Sequence, residues 1–232
     1  NKQITGLSGN TTYHYQAYVL DADSDEQIGE DKTMTTSTSI GEIFVSYETG
    51  PGGSEVSTIK SFTTEGVACT SWQPEEYQLM YQGMCTDSSG NTYYIAFTSP
   101  HKIIKYDSSG TEVTNITVSY QVQAIAIAND GYIYTLENTQ TDNNVMTKRS
   151  PATLAEISSF QLDPTHNYYG MAFLDNDCFY VVNDSDGVIE MWKVSTENEI
   201  SEVAIDSGKT TLTSLAVAGS TVLGVDYTKQ PW

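Results

Sequence analysis

Between Gly83 and Leu223 the chain repeats one pattern four times: a short strand of small residues, a polar turn and a second apolar strand. The copies are Gly83-Met-Cys-Thr-Asp-Ser-Ser-Gly-Asn-Thr-Tyr-Tyr, Ala124-Ile-Ala-Ile-Ala-Asn-Asp-Gly-Tyr-Ile-Tyr, Gly170-Met-Ala-Phe-Leu-Asp-Asn-Asp-Cys-Phe-Tyr and Ser214-Leu-Ala-Val-Ala-Gly-Ser-Thr-Val-Leu. Their starts lie 41, 46 and 44 residues apart. A repeat of about 40–50 residues built from short strands marks an array of four-stranded sheets, each burying its faces only against its neighbours. The spacing therefore predicts an all-β fold with a partial β-propeller over residues 78–232.

The pattern also predicts where side chains go. Cys85, Ala126, Ala172 and Ala216 share one slot on the first strand of each copy, where converging sheets leave room only for small buried groups. Tyr93, Tyr134 and Tyr180 share a slot on the second strand and are read as packing between sheets. Lys105, Lys148 and Lys193 fall on the third strands and are read as solvent-facing positions of alternating strands. About three and a half repeats are too few to close a ring of about 4–8 blades. The expectation is an excerpt of a longer protein, with the array continuing past Trp232 and a domain beginning before Asn1.

Residues 1–64 are of another kind. Thr11-Thr-Tyr-His-Tyr-Gln-Ala-Tyr-Val-Leu alternates in the manner of a strand and is rich in β-branched and aromatic residues. Strand candidates at Glu30-Asp-Lys-Thr-Met-Thr-Thr, Glu42-Ile-Phe-Val-Ser-Tyr-Glu-Thr and Ser57-Thr-Ile-Lys-Ser-Phe-Thr-Thr follow, and residues 65–77 are read as a linker. The run Gly6-Leu-Ser-Gly-Asn-Thr-Thr-Tyr-His-Tyr-Gln-Ala-Tyr-Val resembles the E–F corner and F strand of a fibronectin type III domain, with Tyr13 matching the tyrosine corner. Gly29-Glu-Asp-Lys-Thr-Met-Thr-Thr and Ser61-Phe-Thr-Thr are similar to the closing strand of that family. The resemblance implies incomplete β-sandwich elements ahead of the propeller.

In the first repeat, Asp87-Ser-Ser-Gly-Asn-Thr-Tyr-Tyr-Ile-Ala followed by Lys102-Ile-Ile-Lys-Tyr-Asp resembles the NHL and YVTN-type propeller repeats. The likeness weakens in the next two copies, where Ala128 and Leu174 replace the turn aspartate. It implies a propeller, a fold that hosts enzymes, adhesins and scaffolds alike.

Charge narrows the function. Thirty acidic residues against ten basic ones give a net charge of −20, and Arg149 is the single arginine. Such a chain repels phosphate backbones and anionic membrane surfaces, so nucleic acid is not an expected partner. No run of about 18 apolar residues occurs, so no membrane span is expected in this portion. The chain opens Asn-Lys-Gln-Ile-Thr, with no basic-then-apolar leader. Three cysteines, Cys69, Cys85 and Cys178, lack CxxC spacing, and Cys85 and Cys178 are read as packing residues.

Three Asn-x-Ser/Thr sequons, at Asn10, Asn115 and Asn183, are candidate glycosylation sites of an extracellular protein. Asn183, in Asn-Asp-Ser-Asp-Gly, is expected to be exposed in a turn. Asp21, Asp23 and Asp25 alternate as in a calcium loop, but Glu26 and Lys32 stand where that loop needs Gly and a bidentate Glu, so a solvated turn is the reading. His14, His101 and His166 show no ligand or triad spacing, and Tyr168 and Tyr169 are placed in a loop where a sugar could stack. No phosphate loop, nucleophile elbow or zinc motif is present. No catalytic residue, metal ligand or cofactor is assigned.

These readings converge on a non-enzymatic, extracellular modular surface protein. Its role is expected to be structural, in a surface layer, sheath or filament, or adhesive, with protein or glycan partners or other copies of itself. Two alternatives stand beside it: a propeller hydrolase or lyase whose site is completed by blades absent here, and a viral or phage fibre component.

Overall fold

The computed structural model describes residues 12–15, 18–20, 26–28, 32–35, 43–49, 56–63, 67–74, 83–96, 100–138, 144–204, 212–218 and 221–226. Every regular element among them is a strand. Strands β1 (Thr12–Tyr15) and β4 (Lys32–Thr35) pair, as do β2 (Tyr18–Leu20) and β3 (Glu26–Ile28). Strands β5 (Ile43–Thr49), β6 (Val56–Phe62) and β7 (Ala68–Trp72) form a three-stranded antiparallel meander.

Three four-stranded antiparallel sheets follow. Blade I holds β8 (Met84–Thr86), β9 (Thr92–Ala96), β10 (His101–Tyr106) and β11 (Glu112–Val118). Blade II holds β12 (Gln121–Ile127), β13 (Ile133–Asn138), β14 (Val145–Arg149) and β15 (Glu156–Gln161). Blade III holds β16 (Tyr168–Phe173), β17 (Cys178–Asn183), β18 (Val188–Lys193) and β19 (Asn198–Ala204). A two-stranded sheet, β20 (Leu212–Ala218) and β21 (Thr221–Asp226), closes the series. The first strand of each sheet packs against the first strand of the next, β8 on β12, β12 on β16 and β16 on β20. These are the inner strands of a partial propeller.

Strand alternation explains how the sheets stack, since successive side chains point to opposite faces. On β9, Tyr93 and Ile95 join Val122, Ile125 and Ile133 of blade II. On β13, Tyr134 and Leu136 turn the other way and meet Met171, Phe173 and Phe179 of blade III. On blade III, Ala172 and Val182 face Leu212 and Leu215 of the last sheet. The central strands are apolar on both faces for this reason, and β9 is buried along its whole length.

The small-residue slot is matched by register. Cys85 pairs with Tyr93, Ala126 with Tyr134, Ala172 with Tyr180 and Ala216 with Leu223. Cys85, Ala126 and Ala172 each face the following sheet. Ala126 and Ala172 are buried and Cys85 is half-buried. Ala216 departs from the expectation: it is exposed, and Leu223 beside it is 56% exposed, because no described sheet covers that face. Replacing Ala126 by Leu, against the stacked Tyr134 and Phe173 rings (centroids 4.5 Å apart), is expected to cost about 1–3 kcal/mol by overpacking. Ala216→Leu should cost little. Denaturation midpoints of the two variants check the contrast.

Residues 65–77 are not a plain linker. They contain β7, and Trp72 at its end packs with Ile59 of β6 on the blade I face opposite blade II, against Tyr94, Ile104 and Tyr106. The Trp72 and Tyr106 rings lie 6.4 Å apart. Gly110, at φ 83°, makes room for the indole, because a Cβ there would sit 2.5 Å from Trp72 Cγ. The physical cause is the second apolar face of blade I, which needs cover. The boundary expected at residue 64 is therefore crossed by one hydrophobic cluster.

Two further readings change. Lys193 pairs with Cys178, whereas Lys105 pairs with Tyr93 and Lys148 with Tyr134, so Lys193 is out of register with the other two. Met191 holds the equivalent place, opposite Tyr180. Nor are Lys105 and Lys148 simply solvated. Lys105 Nζ lies 5.2 Å from the Tyr93 ring centre and donates to the Pro151 carbonyl at 3.0 Å, and Lys148 Nζ lies 3.9 Å from the Tyr132 ring centre. Amphipathic stems and cation–π contacts account for both.

Candidate functional site

The densest polar cluster among the described side chains sits at one end of blade III. Its centre is Glu190, on β18 between Val188 and Trp192 in the alternating pattern, and therefore on the inward face. Glu190 is 2% exposed. A buried carboxylate is tolerated only when its oxygens are saturated by donors. Tyr168 Oη donates to Glu190 Oε2 at 2.8 Å, and Trp192 Nε1 donates to the same oxygen at 2.7 Å. Asn183 Nδ2 donates to Glu190 Oε1 at 2.7 Å.

His166 adjoins this centre from the connection between blades II and III. Its Nε2 lies 3.1 Å from Asp186 Oδ2, and its Nδ1 lies 3.0 Å from Asn183 Nδ2 and 3.7 Å from Glu190 Oε1. Asn144, held at φ 65°, places the loop: its Nδ2 donates to the carbonyls of Asp163 and His166 at 3.0 and 2.7 Å. Burial, then the hydrogen bond and charge of Glu190, push the Tyr168 phenol far above its ordinary range. Burial and then the neighbouring Glu190 and Glu202 charges raise the Glu199 carboxyl.

A second buried ion pair lies in blade II. Arg149 Nη2 donates to Glu137 Oε1 at 2.6 Å, Arg149 Nε to Thr135 Oγ1 at 3.0 Å, and Arg149 Nη1 to the Leu154 carbonyl at 3.2 Å. Thr135 Oγ1 donates to the same Glu137 oxygen. The single arginine is spent inside one sheet.

Several sequence-based placements change here. Asn183 is fully buried; its Nδ2 donates to Glu190 Oε1 and Asp186 Oδ2 and lies 3.0 Å from His166 Nδ1, while its Oδ1 accepts from the Ser185 and Asp186 backbone amides. Asn183 is therefore not exposed in a turn as expected, because it is the last residue of β17 and its side chain points inward. The turn itself occupies 184–187, one residue later than its polar sequence suggests. Asn115 does lie exposed on β11, with its Nδ2 donating to Glu112 at 2.6 Å. Asn10, Asp21, Asp23 and Asp25 lie outside the described residues, as does the Tyr13 side chain.

Tyr168 is 1% exposed in β16 rather than displayed on a loop. His101 opens β10 and His14 lies on β1, so the three histidines are not brought together. Burial and then Asp87 raise the Cys85 thiol, and burial followed by Asp175 and Asp177 raises Cys178, which leaves both as poor nucleophiles. The Asp175–Asp177 segment is a turn, with Asp175 accepting from the Asp177 and Cys178 amides and Asp177 from Ser195. Among the described residues no group of three or more His, Cys, Asp or Glu is arranged to hold a metal ion.

Sequence reasoning missed the Glu190 and Glu137 centres. The available signal was phase: Glu190 alternates with Val188 and Trp192, and Glu137 ends the buried run Ile133–Glu137.

No family model matches the chain, and no curated protein matches it in sequence. Among solved structures, the WD40 domain of Pan2 from Neurospora crassa aligns at a TM-score of 0.50 and 12% identity, over 78% of this chain and 58% of that one. BamB from Moraxella catarrhalis aligns at 0.47 and 13% identity, over 81% of this chain and 61% of the other. The chain thus spans about three fifths of each of these structures. The Pan2 likeness agrees with the propeller architecture and reaches no further than the fold.

Proposed function

We propose that this chain is a non-catalytic, extracellular modular surface protein, structural or adhesive in role, in which an NHL-like partial propeller follows fibronectin type III-like elements. One observation carries the reading: the carboxylates buried among the described residues of the propeller, Glu137 and Glu190, are bonded by side chains of their own blades. Groups held in this way brace a sheet. A general acid or base would need an oxygen directed to a substrate. The net charge of −20 and the exposed sequon at Asn115 support a place outside the cell.

The rival reading, a hydrolase or lyase, draws on the His166–Asp186 contact at 3.1 Å beside Glu190. Localisation tests the leading reading first. Amine biotinylation of intact cells that make the full-length protein is expected to label it. Labelling only after lysis would contradict the surface assignment.

A further inference from the structure

Along blade II, beside its junction with blade I, lies a groove of about 390 Å³, within the size range of small-molecule sites. The inner part of that junction is apolar, filled by Ile95, Ile103, Val122 and Ile133. The groove is polar instead. Glu137 and Thr147, both almost wholly buried, line it from the central strands of blade II. Glu156, Ser159 and Gln161 line it from the outermost strand, and Tyr120, 39% exposed, lines it from the bend joining the blades.

Each component constrains the ligand. Glu137 is held rigidly by Arg149 and Thr135, both donating to its Oε1, so it forms part of a fixed wall whose charge is already balanced. Glu156 is likewise oriented, accepting from Ser159 Oγ at 2.9 Å. Fixed acceptors need little ordering when a ligand arrives, which favours binding. Thr147, Ser159 and Gln161 can both donate and accept. Tyr120 adds a flat apolar face with a polar tip. The Glu156 carboxylate and the overall negative charge disfavour anions, and the Arg149 partner of Glu137 removes the selective pull on a cation.

From this we infer that the groove along blade II is a binding subsite for a neutral hexose unit of a glycan, stacked on Tyr120 and hydrogen-bonded to Glu156 and Gln161. A hexose fits because its hydroxyls donate and accept at once, while one ring face presents C–H groups to an aromatic. The inference deepens the adhesive reading above and rests on it for its biological setting.

The test applies the full-length protein to an array of neutral, acidic and amino-sugar oligosaccharides, with cellobiose, maltotriose and lactose among the neutral probes. Wild-type protein is expected to bind at least one neutral oligosaccharide. Tyr120→Ala and Gln161→Ala should each weaken that binding about tenfold or more in protein that still unfolds cooperatively. No binding to any neutral probe, preference for acidic or amino sugars, or binding untouched by both substitutions would overturn the assignment. A protein labelled on intact cells that binds no neutral sugar loses the subsite alone. A sugar-binding protein hidden until lysis loses the surface reading alone.

Discussion

Arg149→Met is expected to destabilise the protein by about 3–5 kcal/mol, the scale for breaking one side of a buried ion pair. Arg149 and Glu137 are 5% and 4% exposed, and the guanidinium uses three nitrogens on Glu137, Thr135 and the Leu154 carbonyl. Removing it leaves a carboxylate in a sheet face with only Thr135 as a donor, and the Leu154 carbonyl loses its partner. The pair's net contribution is far smaller than that loss, because burying two charges is itself costly. The double substitution Arg149→Met with Glu137→Leu should therefore recover most of the stability. Urea midpoints of the single and double variants decide the matter. A single variant within about 0.5 kcal/mol of wild type, the range of an ordinary surface change, would show that the pair is not buried as described.

Glu190→Leu should be similarly damaging. It strands the Tyr168 hydroxyl, the Trp192 indole N–H and one Asn183 amide proton, each costing about 1–3 kcal/mol when buried without an acceptor. A loss of at least about 3 kcal/mol follows. Glu190→Gln keeps an acceptor and should cost less. The milder variant also carries a direct readout, because Glu190 raises the Tyr168 phenol through both a hydrogen bond and its charge. Spectroscopic titration of Glu190→Gln should show Tyr168 ionising at lower pH than in wild type while staying above the ordinary tyrosine value, since burial remains its largest cause. An unchanged titration would remove Glu190 from the centre of the cluster.

The propeller was legible because its cause is periodic. Matching strands at the slots of Ala126 and Ala172 require the same small residue and the same facing tyrosine, and the register bears this out at both. What escaped was not periodic. The β7 strand shows an almost wholly exposed pattern, and only Trp72 reveals that it covers blade I. Asn183 sits in a sequence of turn-formers, yet turn composition does not say which residue is the last of the strand, and that residue points inward. Lys193 matched Lys105 and Lys148 by eye, but a shift of two residues along β18 keeps the same face and changes the partner. The His166 contacts depend on Asn144 holding a loop from another blade, a long-range bond invisible to local spacing.

The proposed function requires that Glu137 and Glu190 hold the propeller's sheets and do no chemistry. The decisive measurement is turnover by the full-length protein across a hydrolase and lyase substrate panel, for wild type, Glu190→Gln and His166→Gln. No turnover is expected in wild type and therefore none for the substitutions to remove. Turnover in wild type that disappears in Glu190→Gln or His166→Gln while the fold is retained would contradict it.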